Sequence, residues 1–350
     1  MRALQLVAGS HEPELREVAE PAPGPGEVLL RVGGAGACHS DVHLLEMDTA
    51  ALPWPMPFTL GHENAGWVAE LGDGVQGVEV GEPVAVYGPR GCGRCRRCVQ
   101  GLENYCERPL EAGASPPGIG ADGGMAPFMT VSHPRYLVPL GDLDPVAAAP
   151  LTDAGLTPYT AVKRSRGVLG PGSFAVVIGV GGLGHLAVQI LRAITPTTVI
   201  AVDTNERALA VAADVGAQRT VLVEGDGGAA VADIRSLTGG YGVDVVVDLV
   251  GTESTLALGG AVSRTLGHLT LVGIAGGTLP VGFFNLPNGL SVMSSNWGSL
   301  PELGEVIALA RTGHVMPRVE RFALDDAASA YDRMRAHTLE GRAVVVPNES

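Results

Sequence analysis

Positive charge is scarce in this sequence: 23 Lys and Arg stand against 37 Asp and Glu in 350 residues, a formal net charge of −14. That balance argues against a nucleic-acid surface, because phosphate binding wants a basic face. It fits a soluble protein kept apart by like charge. No secretory signal is visible either: Met1-Arg2 is followed by a short apolar run, broken at Gln5 and ended by Gly9-Ser10-His11-Glu12. The expected compartment is the cytoplasm. The longest apolar stretch, Phe174 to Ile194, is too interrupted for a membrane span. It contains Gly179, Gly181, Gly182, Gly184, His185, Gln189 and Arg192, and reads as a buried strand, turn and helix. The 50 glycines show no Gly-X-Y period, which excludes a collagen-like chain. Cysteines number only five, an odd count that does not suit a secreted disulfide framework.

The length and an apolar content of 46% are enough for two domains with proper cores. Prolines 21, 23, 25, 53, 55 and 57 mark turn-rich β structure near the N-terminus. Strands are expected at Glu27 to Val32, Ala65 to Leu71 and Glu82 to Val86, with Gly72-Asp73-Gly74 and Gly81 in the turns. The texture changes near residue 154. Ala154 to Arg166 has helical spacing, and strands and helices then alternate. The strands are Ala175–Val180, Thr198–Asp203, Thr220–Val223, Val243–Val250 and His268–Gly273. Helices are expected at His185–Ile194, Arg207–Val215 and Ala229–Leu237, and after Glu253. Strands that are apolar throughout and spaced by helices indicate a parallel sheet covered on both faces. Two further helices, Pro301 to Arg311 and Asp325 to Ala336, precede a strand at Ala343–Val346 that is expected to return to the first domain.

Four of the cysteines form Cys92-x2-Cys95-x2-Cys98-x7-Cys106 in a Gly- and Arg-rich loop. Zinc takes four thiolates tetrahedrally, and short Cys-x2-Cys steps wrap a turn around one ion. Such a site is closed, so it stabilises rather than catalyses. An iron–sulfur cluster uses similar spacing, but the tight, even lobe favours zinc. Cys38 stands apart, in Cys38-His39-Ser40-Asp41-Val42-His43, and Gly61-His62-Glu63 follows. A catalytic zinc needs three protein ligands and an open fourth position. Cys38 and His62 are suitable donors, although a lone Cys is usually a small buried hydrophobe and a lone His a hydrogen-bonded core residue.

Gly179-Val180-Gly181-Gly182-Leu183-Gly184 lies between an expected strand and an expected helix, the context that a dinucleotide-binding turn requires. The first glycine permits the tight turn, the second lets a pyrophosphate approach, and the third lets helix and strand come close. The anion then sits at the positive helix N-terminus. Asp203, nineteen residues beyond Gly184, ends the next strand. A carboxylate there accepts from the adenosine ribose hydroxyls and repels a 2′-phosphate, so NAD is preferred over NADP. Arg207 nearby weakens that discrimination, because a cation accommodates a phosphate.

Taken together, these motifs resemble the zinc-containing medium-chain dehydrogenase/reductase family along essentially the whole chain. Gly61-His62-Glu63-x2-Gly66-x5-Gly72-x2-Val75 fits the family's zinc signature, and the cysteine lobe, Gly-rich turn and Asp203 follow in the family's order. The likeness extends to bacterial NAD-dependent secondary alcohol dehydrogenases. It implies an α/β protein in two parts. A GroES-like β-rich catalytic domain would span 1–153 and 299–350 and carry the zinc lobe. A doubly wound Rossmann NAD domain would span 154–298.

The resemblance supplies a third ligand to the catalytic zinc. Pro150 to Thr157 matches the family's ligand segment, and Asp153 stands where many members have Cys. Both are monoanionic when bound, but an oxygen donor is harder than a sulfur. Glu63 matches an acidic residue that can approach the zinc transiently. Asp41 matches the carboxylate that orients the ligand histidine. Ser40 corresponds to the hydroxyl that takes the alcohol proton, and His43 to a residue that passes it to solvent or else simply walls the pocket. His39 and Arg342 fall where members contact the pyrophosphate. Trp54, Ile119 and Trp297 fall in the substrate pocket, an apolar cleft suited to small ketones and secondary alcohols. The resemblance also implies two zinc ions per chain and a homotetramer, with a dimer as the alternative. A polyol or primary-alcohol dehydrogenase is the competing enzyme reading. A nucleotide-binding protein that has lost its chemistry is the competing binder, for which an open metal site would have no use.

Overall fold

A computed structural model gives the structure, which describes residues 1–49, 52–111 and 115–348. The chain forms two compact units. One comprises Met1–Leu156, Gly298–Gly313 and Pro317–Ser350; the other comprises Thr157–Trp297 with His314–Met316. Asp153 and Ala154 lie in the first unit, where the Ala154 amide donates to Glu63 at 3.0 Å. The change of texture seen near residue 154 therefore precedes the division itself, which falls at 156/157.

The first unit is built on a seven-stranded sheet. Along its main path the strands run Val319–Ala323, Arg342–Val346, Val28–Gly36, Glu63–Leu71, Pro83–Val86 and Leu137–Pro139, and Phe128–Val131 also pairs with Val28–Gly36. Only Arg31 of the Val28–Gly36 strand is exposed, with its guanidinium 4.2 Å from the centre of the Trp67 ring. The other side chains are buried, and the strand runs four residues past the expected end at Val32. The strand Arg342–Val346 pairs antiparallel with Val28–Gly36, placing Val344 opposite Gly36. The C-terminus thus returns to the first unit, as expected. A three-stranded sheet of Glu14–Glu17, Arg2–Leu6 and Phe58–Thr59 completes the β structure.

The second unit is a six-stranded sheet ordered Arg219–Leu222, Thr198–Asp203, Phe174–Ile178, Val243–Asp248, Ser263–Leu271, Ser291–Ser294, parallel throughout. In sequence rank this is 3-2-1-4-5-6, the doubly wound order whose direction reverses beside the first strand. Val176, Ile200, Val246, Leu269 and Ile234 fill one layer and are fully buried. Each such side chain contributes about 1.5–3 kcal/mol relative to an exposed position. The strand expected at Val243–Val250 stops at Asp248, whose carboxylate accepts from the Val250 and Gly251 amides at 2.9 and 3.0 Å and turns the chain. Among the described residues, no helix is long and apolar enough to cross a membrane.

Candidate metal centres and cofactor turn

The cysteine lobe forms one cluster. The four sulfurs of Cys92, Cys95, Cys98 and Cys106 all lie within 4.8 Å of one another, with Cys92–Cys98 and Cys95–Cys106 separations of 4.0 Å. Tetrahedral bonds of about 2.3 Å imply sulfur–sulfur edges of about 3.8 Å. The cage thus fits a single zinc and is too tight for a multi-iron cluster. All four thiols are free of disulfides. The Cys95 and Cys98 amides donate to the sulfurs of Cys92 and Cys95 at 3.3 and 3.4 Å, and the Arg108 amide to Cys106 at 3.4 Å. The Cys98 amide, followed by that of Glu107, holds the Cys95 thiol down at about 6, favouring the thiolate that a metal needs. Burial pushes Cys98 the other way, to about 12, and a bound dication inverts that preference.

The second cluster lies where the strand Val28–Gly36 runs into the helix His39–Glu46. Cys38 caps that helix, and Asp41 in its first turn accepts the Cys38 amide at 2.9 Å. A carboxylate at this position also suits the positive end of the helix. Gly61, at a φ of +94° that side-chain-bearing residues avoid, turns the chain into His62. Glu63 then pairs with Gly36, where a Cβ would collide with the Glu63 carboxylate. The donor atoms of Cys38, His62, Glu63 and Asp153 lie within 4.8 Å of one another. His62 Nε2 is 3.5 Å from Asp153 Oδ2, which is 3.9 Å from Cys38 Sγ. The first three residues are buried, whereas the Asp153 side chain is 13% exposed, so the cluster is open on the Asp153 side.

Two carboxylates frame the cluster differently. Asp41 accepts from His62 Nδ1 at 3.1 Å, which directs Nε2 toward the other donors. Glu63 receives Arg342 through Nε at 2.9 Å and Nη2 at 2.5 Å. Burial pushes the Glu63 carboxyl up to about 7, with the Arg342 guanidinium pulling against it. Arg342, read from the sequence as a pyrophosphate contact, is thus buried and bidentate on Glu63 beside the metal cluster.

Ser40 Oγ sits 3.5 Å from Cys38 Sγ. His43 has its side chain 39% exposed and its Nδ1 3.9 Å from Glu46. His39 stacks on His337 with ring centres 6.5 Å apart. Surrounding protein first, and Arg342 second, lower its ring to about 4, so it would meet an anion as a neutral donor. In the first unit, Trp54 lies edge-on to Phe58 at 6.4 Å and is half-buried, as is Ile119. A Cβ on Gly120 would strike the Trp54 ring, which ties the Ile119 loop to that indole. Trp297 is buried in the second unit. Tyr331 comes to Asp41 without any warning in the sequence: its hydroxyl is 3.1 Å from Asp41 Oδ2 and 3.3 Å from Met125 Sδ. No spacing rule connects residues 290 positions apart.

In the second unit, Gly179 takes a φ of +84° at the end of Phe174–Ile178. Gly184 opens the helix Gly184–Ile194, and a Cβ there would fall on the Gly179 carbonyl. Leu183 caps this helix, and a Cβ on Gly181, next to Gly182, would meet nothing within 4 Å, so the turn is open to a pyrophosphate. Asp203 accepts the Val180 amide at 2.7 Å and the Asn205 amide at 2.9 Å, which fixes its carboxylate beside the turn. A cleft of about 460 Å³ opens beside it, lined by Gly179, Val202, Asp203, Val223, Val250 and Leu258 among others. Arg207 is exposed on the helix Glu206–Asp214, its amide capped by Asn205 at 2.9 Å.

Known proteins agree with this geometry. Residues 24–142 match the alcohol dehydrogenase GroES-like domain, and residues 182–312 the zinc-binding dehydrogenase domain. The chain is 36% identical to an NAD-dependent alcohol dehydrogenase of Sulfurisphaera tokodaii, over 99% of this chain and 100% of that protein. It is 33% identical to a D-arabinose 1-dehydrogenase (NADP(+)) of Saccharolobus solfataricus, over 99% and 97%. The crystal structure of the alcohol dehydrogenase of Aeropyrum pernix superposes with a TM-score of 0.90 at 36% identity, over 99% of this chain and 100% of that one. With both family models matched and 36% identity to an alcohol dehydrogenase over essentially the whole chain, the chain belongs to the zinc-containing medium-chain alcohol dehydrogenase family.

Proposed function

We propose that the protein exchanges hydride between small secondary alcohols, or the matching ketones, and NAD. One observation carries the reading: Cys38, His62 and Asp153 converge in a cluster open on one side, with His62 held in register by Asp41. When bound there, zinc supplies Lewis acidity worth about nine pKa units on an ionising hydroxyl, or roughly 12 kcal/mol at 1.36 kcal/mol per unit. This chain's own groups do the rest. Ser40 Oγ, beside Cys38, takes the alcohol proton, and the half-exposed His43 hands it to water. Asp203 receives the adenosine ribose, and the amides at the Gly184 helix end receive the pyrophosphate, while Arg342 stays committed to Glu63. Trp54 and Ile119, half-buried in the first unit, favour an apolar substrate over a polyol. Assembly as a homotetramer, or else a dimer, and residence in the cytoplasm accompany this reading.

Initial rates of NADH or NADPH appearance test it, with 2-butanol, 1-butanol and D-arabinose each supplied with NAD and with NADP. The expected result is a clear preference for 2-butanol with NAD. Preference for D-arabinose with NADP would overturn both the pocket and the Asp203 assignments, and activity on 1-butanol alone would discard the pocket argument. Ser40→Ala is expected to lower turnover by about 10²-fold, the low end for a positioned proton acceptor, with metal content unchanged. Unaltered turnover would remove Ser40 from the proton path.

A further inference from the structure

We infer that Tyr331 is a positioning residue for the metal-binding histidine, acting through Asp41; the inference rests on Cys38, His62 and Asp153 being the zinc site. Tyr331 lies on the helix Ala327–Arg335 and is fully buried, as is Asp41. Its hydroxyl faces Asp41 Oδ2 at 3.1 Å and Met125 Sδ at 3.3 Å. A carboxylate is a far stronger acceptor than a thioether, so the hydroxyl proton points at Asp41. Oδ2 already accepts the Cys38 amide at 2.9 Å, while Oδ1 faces His62 Nδ1 at 3.1 Å.

One carboxylate therefore receives three donors, one from its own helix start and two from segments 21 and 290 residues away, and two of the three belong to metal ligands. The paired donors on Oδ2 fix the carboxylate plane and prevent its rotation, which reserves Oδ1 for the imidazole. A carboxylate at Nδ1 sets the tautomer that leaves the Nε2 lone pair free for a metal. The Tyr331 hydroxyl also draws charge from Asp41, so it sets how strongly the carboxylate pulls on the imidazole proton. The ring alone would fill the same space. The hydroxyl matters only through Asp41.

Tyr331→Phe keeps the ring and removes only the hydroxyl. The test uses the full-length protein with cobalt in the second cluster and zinc in the cysteine lobe. Two quantities are followed: the visible d–d absorption of the cobalt and its rate of loss to a chelator. The expected result is a shifted absorption and loss about ten-fold faster, at the low end for partners that orient a ligand histidine. Zinc should leave the cysteine lobe at the wild-type rate, since Tyr331 does not touch it; that rate serves as the folding control. In an Asp41→Asn background, Tyr331→Phe should add nothing further. An unchanged spectrum and release rate, even with a lowered melting temperature, would leave Tyr331 a packing residue and overturn the inference. A protein that takes metal only in the cysteine lobe would overturn the zinc-site reading itself, and the inference with it.

Discussion

Cys38→Ser and Cys98→Ser are expected to fail in different ways. Each replaces one buried sulfur by a hydroxyl of similar shape, and each should cost the chain one zinc of two. At Cys38 the surroundings are a finished core, with Leu45, Val32 and Ala37 fully buried close by in sequence. The fold there does not depend on a metal, so the melting transition should move by less than about 1 kcal/mol. The chemistry does depend on it. Losing even a third of the roughly 12 kcal/mol of Lewis-acid stabilisation lowers kcat/KM by about 10³-fold, and the deficit should be at least that large. The cysteine lobe is the opposite case. Its residues are largely Gly, Arg and Cys, Val99 is 69% exposed, and Cys95 and Cys98 are the buried apolar residues between 92 and 106. The ion is the core of the lobe. Cys98→Ser should lower stability by about 3–5 kcal/mol, the range reached when a metal is lost. Protease cleavage within 92–106 should then precede any fall in turnover per folded molecule. Metal content, thermal melts, limited proteolysis and initial rates separate the two outcomes. Equal melts and equal activity losses for both variants would contradict a division into one catalytic and one structural site.

The features legible in the sequence were those written over short distances. Cys92 to Cys106 and Gly179 to Gly184 each fold back on themselves within a turn or two, so spacing alone predicts the geometry. The parallel sheet of the second unit follows from alternation of apolar strands and helices, because parallel neighbours need a crossover connection. Asp153 was harder. It lies 115 residues from Cys38, and nothing local distinguishes it from any carboxylate near a turn; the family resemblance pointed to it. Tyr331 and the pairing of Arg342 with Glu63 were not legible, since they span 290 and 279 residues and Arg342 carried a plausible role elsewhere. The strand Ser291–Ser294 was missed for another reason: it has four residues, three of them exposed, and its two apolar residues are adjacent, so no periodic pattern marks it. The helix after Glu253 was found as Glu253–Val262 because Thr252 supplies its cap.

Arg342→Met should open a stability deficit that grows with pH. Glu63 is fully buried, and its two oxygens take the Arg342 guanidinium and the Ala154 amide. Removing one member of such a pair costs about 3–5 kcal/mol, because the remaining charge is left uncompensated. Burial already pushes the Glu63 carboxyl to about 7 against the pull of Arg342; without the guanidinium it must rise further. A folded-state value above the unfolded one, near 4.3 for Glu, gives stability at low pH that is lost as pH climbs through the folded value. Relative to wild type, the variant's deficit should therefore be small near pH 6. Above pH 7 it should increase by about 1.4 kcal/mol per pH unit, until Glu63 ionises in the variant too. Denaturant melts at pH 6 and pH 9 read this directly. Glu63→Gln combined with Arg342→Met should remove the pH dependence and recover most of the loss, since neither buried charge is then left alone. A different result is informative in a specific way. The Glu63 oxygens lie within 4.8 Å of the donors of Cys38, His62 and Asp153. If Arg342→Met stays as stable as wild type at pH 9 while zinc is bound, but not after zinc is stripped, the freed carboxylate has turned onto the metal. Arg342 would then be the group that keeps Glu63 from occupying the open position of the site.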